Sequence, residues 1–328
     1  MAARFGRTGT RIAVFPILAT LFLAGPSLAQ DPRTPAPQES GATDLGDVLV
    51  EGRTAREAAQ AFVRSVAEPV RGRKAARWRD SVCVGVGGMQ GDAARFMVDR
   101  ISDWAARVGL EIGPPGCQPQ ILIVATDDGD ATARALVAAR PREFRTGVSQ
   151  SDQGEAALAA FQSSGRPIRW WHVSLPVDGT GAPIRRLPGQ QPFTAPDEIQ
   201  RPADLGPYGM IVSASRLTDE TADDLMQAII VLDTDAFDQA DFVQVTDYIA
   251  MVALAQIDPD ADPATPSILR LFKSGEAHEE MLTRWDQAYL AALYRTSQMG
   301  AGAGSNLSAI AGGLARDLEG RDGPEPSD

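Results

Sequence analysis

Apolar residues along the first half of the chain recur at two spacings, one typical of strands and one typical of helices. Ser81–Val86 and Gln120–Thr126 are short apolar runs, and Asp92–Gly109 between them has apolar side chains at helical spacing. A strand, a helix and a strand in this order predict a right-handed crossover unit with a parallel strand pair. The fold class indicated by this unit is α/β.

The later segments extend the pattern. Ala55–Val66 predicts an amphipathic helix, and strands are predicted at Ile168–Ser174, Met210–Ser215 and Ala228–Leu232. From Asp241 onward the spacing of apolar residues is helical again. We therefore expect an α/β (α+β) fold with a mixed sheet, a crossover helix, a central core helix and a C-terminal closing helix.

The two ends of the chain differ from the centre. Met1–Ala29 has three arginines, then the apolar run Ile12–Ala24, then small residues before Gln30, which predicts a cleaved secretory signal peptide. The apolar run is shorter than the roughly 20 residues that span a bilayer. We expect an exported protein, periplasmic or extracellular, with no membrane span after cleavage.

The remaining boundaries follow from composition. Residues 30–54 are rich in polar residues and proline at their start and are predicted to be a disordered linker. Residues 55–299 are predicted to form a single globular domain. Residues 300–328 are expected to be a mobile tail with at most a short helix near Asn306–Leu318.

Charge narrows the classes of partner. The formal net charge is −12, and removal of the signal segment with its three arginines makes it three units more negative. Binding to nucleic acid is therefore disfavoured. The basic segment Arg71–Arg79 is expected to be a solvated connector, with contact to an anionic partner as the alternative.

The chain has two cysteines, Cys83 and Cys117, both within the part expected to be exported. An even pair in an oxidising compartment predicts a disulfide bond. The alternative is a pair of buried free thiols.

Three apolar segments follow Asp241. Asp241–Gln256 has the spacing of a core-facing helix that is stopped by Pro259, and Pro266–Phe272 is a short apolar stretch. Leu282–Tyr294 begins with the capping-box pattern Thr283-x-x-Asp286.

This order resembles the C-terminal half of metzincin-like zinc proteases. In those proteins a helix carrying HExxH precedes a turn with a Ser-x-Met-like stretch and a closing helix of pattern Leu-Thr-x-x-Asp-x-x-x-Leu-x-x-Leu-Tyr. The chain is also similar to an exported alphaproteobacterial family of unknown function with the same closing motif. The resemblance covers Asp241–Tyr294. The resemblance implies a zincin-like fold for the globular domain at residues 55–299, with an unrelated α/β domain of similar helix pattern as the alternative.

The resemblance places the zinc-site positions on other residue types. The first zinc histidine falls at Asp247, the general-base glutamate at Tyr248, the second histidine at Met251 and the turn methionine at Leu269. The chain has two histidines, and neither has a second one four residues away. We expect no catalytic residue, no metal and no cofactor at this degenerate site.

Two other groups of residues are candidate sites. A hard cation could be held by acidic residues of two loops, with a solvated acidic rim as the alternative, at Asp233, Asp235, Asp258, Asp260 and Asp262. An aromatic binding surface could be formed by Trp170, Trp171 and His172. In a strand Trp170 and His172 share one face, so at least one tryptophan is expected in the core.

These observations lead to one functional expectation and two alternatives. The chain is expected to be an exported, non-catalytic protein that binds an unidentified protein or envelope partner, through the loop Pro176–Pro207 and a cleft beside the Asp247 helix. The first alternative is a hydrolase with a non-zinc mechanism or an acidic-loop cation site. The second is a structural envelope protein.

Overall fold

The computed structural model describes residues 54–89, 91–144, 153–183, 221–236, 240–273 and 279–320. The predicted signal peptide and nearly all of the predicted linker lie outside these residues, as does the predicted strand Met210–Ser215. In chain order the helices and strands are α1 (Ala55–Val66), β1 (Ser81–Val82), β2 (Val84–Gly87), α2 (Gly91–Arg107), β3 (Glu111–Ile112), β4 (Ile121–Thr126), α3 (Gly129–Ala139), α4 (Glu155–Ser163), β5 (Ile168–Val177), β6 (Ala222–Asp233), α5 (Phe242–Leu254), α6 (Arg284–Arg295) and α7 (Ala303–Gly320).

The main sheet has the strand order β2-β4-β6-β5. Strands β2, β4 and β6 are parallel, with Val84 opposite Ile121 and Ile121 opposite Ala228, and β5 runs antiparallel to β6. Helix α2 connects β2 to β4, so the predicted crossover unit is confirmed. The first predicted strand is divided at Cys83, because β1 pairs with β3 and β2 pairs with β4.

Helices cover both faces of this sheet, and β6 shows why. Ala228 and Ile230 belong to the main core, which also contains α2 and α5 side chains. Ile229 and Val231, on the opposite face, belong to a second core with Phe161 of α4. A strand segment buried on both faces carries a continuous apolar run, which is the sequence pattern of Ala228–Leu232 in the second half of β6.

Helix α5 is the most deeply buried helix of the main core. It begins at Asp241, whose side chain forms a capping box with Gln244. The residues from Val245 to Leu254 are all buried. The helix ends before Pro259 because the backbone of Ala255 is extended and Ile257 pairs with Ala67. Proline therefore does not stop this helix, contrary to the sequence expectation.

Side chains from three other elements bind the last carbonyl groups of α5. Trp78 Nε1 donates to Ala253 O at 2.8 Å, and Tyr294 Oη donates to Leu254 O at 2.8 Å. His172 Nε2 lies 2.7 Å from Val252 O. The final carbonyls of a helix have no partner within it, so these bonds satisfy groups that would otherwise be buried without one.

The C-terminal region differs from the predicted mobile tail. The closing helix α6 has the predicted capping box between Thr283 and Asp286. Helix α7 is longer than the predicted short helix and packs on α1 and α6, with Ile310 and Leu314 fully buried in the main core. The expected domain boundary at residue 299 is therefore wrong, because the globular part continues to Gly320.

The basic segment Arg71–Arg79 is not a solvated connector. Arg73 is buried, and its Nε donates to Asp223 Oδ1 at 2.6 Å. Lys74 N donates to Asp223 Oδ2 at 2.8 Å, and Arg79 Nε donates to Asp224 Oδ2 at 2.5 Å. These bonds fix the segment to the start of β6. Among the described helices, none has the length and apolar character required to cross a membrane.

Candidate functional site

Asp247, the residue to which the zinc-protease resemblance assigns the first histidine, is a buried structural carboxylate. Its Oδ1 accepts hydrogen bonds from Arg100 Nε at 2.5 Å and Trp104 Nε1 at 2.9 Å. Its Oδ2 accepts from Arg100 Nη2 at 2.7 Å and from Leu282 N at 3.0 Å. The residue has no exposed surface. Four donors surround the carboxylate, so it is not positioned to bind a metal ion.

The other positions taken from the zinc-protease pattern are also in the core. Tyr248 packs edge-on against Trp170 and Phe272, with ring centroids 6.1 and 5.1 Å away, and burial raises the pKa of its phenol. Met251 is fully buried, and Leu269 is 4% exposed. These three side chains are buried in the main core, so none of them offers an exposed surface for a cleft beside the Asp247 helix.

The proposed aromatic binding surface is not a surface. Trp170 and Trp171 are buried in opposite cores, as the alternation of a strand predicts. Trp170 Nε1 donates to Ile257 O at 3.1 Å, and Trp171 Nε1 donates to Glu143 O at 2.9 Å. His172 is 2% exposed, and desolvation lowers its pKa to about 4. These side chains fix β5 to its neighbours and are not accessible to a partner.

The acidic residues proposed to hold a cation do not form a metal site. Asp233 Oδ2 accepts from Gly129 N at 3.1 Å, and its Oδ1 accepts from Asp235 N at 3.3 Å. Asp260 instead pairs with Arg166 at 2.5 Å. Over the described part of the chain, no group of three or more His, Cys, Asp or Glu side chains could hold a metal ion. The fifth residue, Asp262, is exposed.

The predicted disulfide bond is present between Cys83 and Cys117. Cys83 lies between β1 and β2, and Cys117 lies in the segment that leads into β4. The backbone of Cys83 is also held by Gln120, whose Oε1 accepts from Cys83 N at 3.1 Å. The bond therefore joins the two ends of the crossover unit.

A cleft of about 320 Å³ lies at the edge of the sheet where β6 ends and β5 begins. Its walls come from the segment after α1, from α4, from the start of β5 and from the segment after α5. The lining side chains are Glu68, Gln153, Ala156, Ala157, Ala160, Phe161, Arg166, Arg169, Trp170, Asp258, Pro259 and Asp260. Parallel strands β4 and β6 both end at this edge, which is where α/β proteins commonly bind ligands.

Glu68 and Asp258 are brought to the cleft by backbone pairing between the segments that follow α1 and α5. Glu68 N donates to Gln256 O at 3.1 Å, and Asp258 N donates to Val66 O at 2.9 Å. Burial, followed by the charges of Asp258 and Asp260, raises the pKa of Glu68 to about 7. Its Oε2 atom is buried and has no hydrogen-bond partner among the described residues.

Two guanidinium groups also line the cleft. Arg166 is half-buried and pairs with Asp260. The Arg169 side chain is 2% exposed, and it pairs with Asp130 and donates from Nη2 to Arg166 O at 3.1 Å. Its Nε has no hydrogen-bond partner among the described residues. The cleft therefore contains a buried unpaired donor and a buried unpaired acceptor.

Sequence reasoning did not select Glu68, Arg166 or Arg169. One signal was available: Arg169 is a cation within the apolar strand Ile168–Val177, and a charged residue at a buried strand position is uncommon without a partner. Comparison of the chain with protein-family models, curated proteins and solved structures gives no match.

Proposed function

We propose that this chain is an exported, non-catalytic protein on a metalloprotease-like scaffold without a zinc site, and that it binds a partner in the cell envelope. The observation that carries this proposal is the environment of Asp247. Its two oxygens accept four hydrogen bonds, from Arg100, Trp104 and Leu282.

The energetics of this group oppose metal binding. Zinc would have to displace Arg100 from the buried carboxylate, and separating a buried ion pair costs about 3–5 kcal/mol. Zinc sites also need three or four ligands from histidine, cysteine or carboxylate. The neighbouring positions supply the phenol of Tyr248 and the thioether of Met251, which do not complete that set.

Export is supported by the arginine-led apolar segment that ends at Ala29 and by the Cys83–Cys117 bond, which is typical of oxidising compartments. The start of the loop Pro176–Pro207, through which a partner is expected to bind, is ordered by its own hydrogen bonds and is accessible. There Asp178 Oδ1 accepts from Thr180 N at 2.8 Å and from Ala182 N at 3.1 Å, while Thr180 is exposed. The rest of that loop lies outside the described residues.

Metal analysis tests the non-catalytic assignment. The mature chain, starting at Gln30, is dialysed against zinc, passed through a desalting column and analysed for metal, and its peptidase activity is measured with and without chelator. We expect far less than one equivalent of zinc and no chelator-sensitive proteolysis. One tightly bound equivalent, or proteolysis lost with chelator and restored by zinc, would contradict the assignment.

Export and partner binding are tested in cells. Tagged full-length chain is fractionated and its N-terminus sequenced, with Gln30 as the expected first residue. A photo-crosslinking amino acid at Thr180 should give a discrete product in the envelope, and the same group at the exposed Ala159 of α4 serves as the control. Retention of Met1 in exported protein, or identical product patterns from the two sites, would contradict the corresponding part of the proposal.

A further inference from the structure

The cleft beside the start of β5 is lined by charged side chains of both signs. The acids Glu68 and Asp258 and the arginines Arg166 and Arg169 all contribute to its lining. The unpaired atoms belong to both charge types, namely Glu68 Oε2 and Arg169 Nε. Buried polar atoms without partners are uncommon in folded proteins and are destabilising. A ligand that supplies both an acceptor and a donor would provide hydrogen-bond partners for both atoms.

The charges already present restrict what that ligand is. Asp260 is paired with Arg166, and Arg169 is paired with Asp130, which lies outside the cleft. Glu68 and Asp258 form no ion pair with the described cations. A simple anion would lie beside the unpaired carboxylates, and a simple cation would leave Arg169 Nε without an acceptor. A metal ion is disfavoured because no suitable ligand group exists among the described residues.

We propose that this cleft binds a small zwitterion of the α-amino acid type. The carboxylate of the ligand pairs with the guanidinium groups of Arg166 and Arg169, and its ammonium group pairs with Glu68 and Asp258. Arginine suits the first role because its planar guanidinium binds carboxylates through paired hydrogen bonds.

The apolar side chains that line the cleft are consistent with a ligand of the size of an amino acid. Ala156, Ala157 and Ala160 lie on one side of α4, and Phe161 and Trp170 also line the cleft. Small side chains on this wall leave room for the side chain of an amino acid. A volume of about 320 Å³ is at the lower end of the range of small-molecule sites, roughly 300–1,000 Å³.

The inference goes beyond the proposed function, because the cleft does not include Asp247 or the start of the loop at Thr180. A negative result in the zinc or cross-linking experiments does not contradict ligand binding at this cleft. In the same way, absence of ligand binding at this cleft does not contradict the proposed absence of a zinc site or the proposed binding of a partner.

Calorimetry on the mature chain tests the ligand class without any substitution. The probes are L-leucine, L-glutamate and L-lysine at pH 8, and then the N-acetyl and amide derivatives of the tightest binder. We expect at least one amino acid to bind with a dissociation constant below about 1 mM. Removing either the ammonium or the carboxylate should weaken binding about tenfold or more, which corresponds to one charge-assisted hydrogen bond.

Matched variants locate the binding. Glu68→Gln keeps the shape of the side chain and should weaken binding about tenfold, whereas Asp262→Asn, at an exposed position outside the cleft, should leave it unchanged. Ala160→Leu should occlude the cleft, whereas Ala159→Leu on the exposed side of α4 should not. Circular dichroism confirms that each variant is folded.

Three results would overturn the inference. They are the absence of binding by every probe, equal binding of an amino acid and its two derivatives, and undiminished binding by folded Glu68→Gln and Ala160→Leu variants. The derivative series uses unmodified protein, so a folding defect in one variant does not prevent a decision.

Discussion

Arg100 of α2 and Asp247 of α5 are joined by two hydrogen bonds, of 2.5 and 2.7 Å, from one guanidinium to one carboxylate. Asp247 has no exposed side-chain surface, and the Arg100 side chain is 26% exposed. The same carboxylate accepts the backbone N–H of Leu282, one residue before the N-cap of α6. A single buried acid therefore connects three helical regions.

Replacing Asp247 with alanine should lower the free energy of unfolding by about 3–5 kcal/mol, because Arg100 and the N–H groups of Trp104 and Leu282 lose their acceptor. Urea unfolding at pH 7 measures the change. Asp92→Ala is the matched control, because this acid also pairs with an arginine but its side chain is 96% exposed. A loss below about 1 kcal/mol for Asp247→Ala would contradict a structural role.

The disulfide prediction concerns the crossover unit. Cys83 and Cys117 are 34 residues apart in sequence, and closing such a loop restricts the unfolded chain by about 4 kcal/mol in the entropic description. The double variant Cys83→Ala/Cys117→Ala should be less stable by up to about that amount in urea unfolding. Adding reductant should destabilise the wild-type chain and leave the double variant unaffected. Equal sensitivity of both proteins to reductant would show that another effect is being measured.

Gly88 is the first residue after β2, in the short connection to α2, and its backbone φ is +75°. A Cβ atom added there would lie 1.9 Å from the carbonyl oxygen of Ala125. Gly88→Ala should therefore reduce the free energy of unfolding by at least about 3 kcal/mol.

The control for this substitution is Gly72→Ala. Gly72 has a similar φ of +79°, but nothing lies within 4 Å of its added Cβ. The expected loss is about 1 kcal/mol from backbone conformation alone. Thermal unfolding of the two variants separates the effect of steric overlap from that of conformation, and equal losses would contradict the overlap.

Local signals account for the parts of the fold that the sequence predicted. The crossover unit, the Cys83–Cys117 pair and the Thr283 capping box each depend on residues close in sequence or on a strong periodicity. The position of α5 in the core was also evident, because its apolar residues extend around most of the helix.

The candidate sites were less predictable, because their character depends on distant partners. Trp170 and His172 are candidates for a binding surface in the sequence, yet they bind carbonyl groups 87 and 80 residues away. Nothing in the sequence marks Glu68, because its environment is created by the pairing of Ala67 with Ile257. Periodicity indicates which side chains of an element are buried. It carries no information on which distant polar group forms hydrogen bonds with a buried polar side chain.

His172 gives the last prediction, which concerns acid stability. Its Nε2 carries the proton donated to Val252 O, since a carbonyl only accepts, and Nδ1 has no hydrogen-bond partner among the described residues. Desolvation lowers the pKa of His172 from 6.5 to about 4. Between these pH values the unfolded chain binds a proton that the folded chain does not, so stability is lost as pH falls from about 6.5 to about 4.

The matched variant is His172→Gln, whose amide nitrogen can donate in place of Nε2 and does not titrate. The stability of the wild-type chain relative to this variant should fall by about 3 kcal/mol between pH 7 and pH 4, measured by urea unfolding at each pH. The difference between the two proteins removes the contributions of Glu68 and Asp286, whose raised pKa values of about 7 and about 6 act in the opposite direction. NMR of the His278→Gln variant, which retains His172 as its single histidine, should show an imidazole that titrates well below pH 6. A normal titration near pH 6.5, or parallel pH profiles of the wild-type and His172→Gln chains, would contradict a neutral histidine beneath α5.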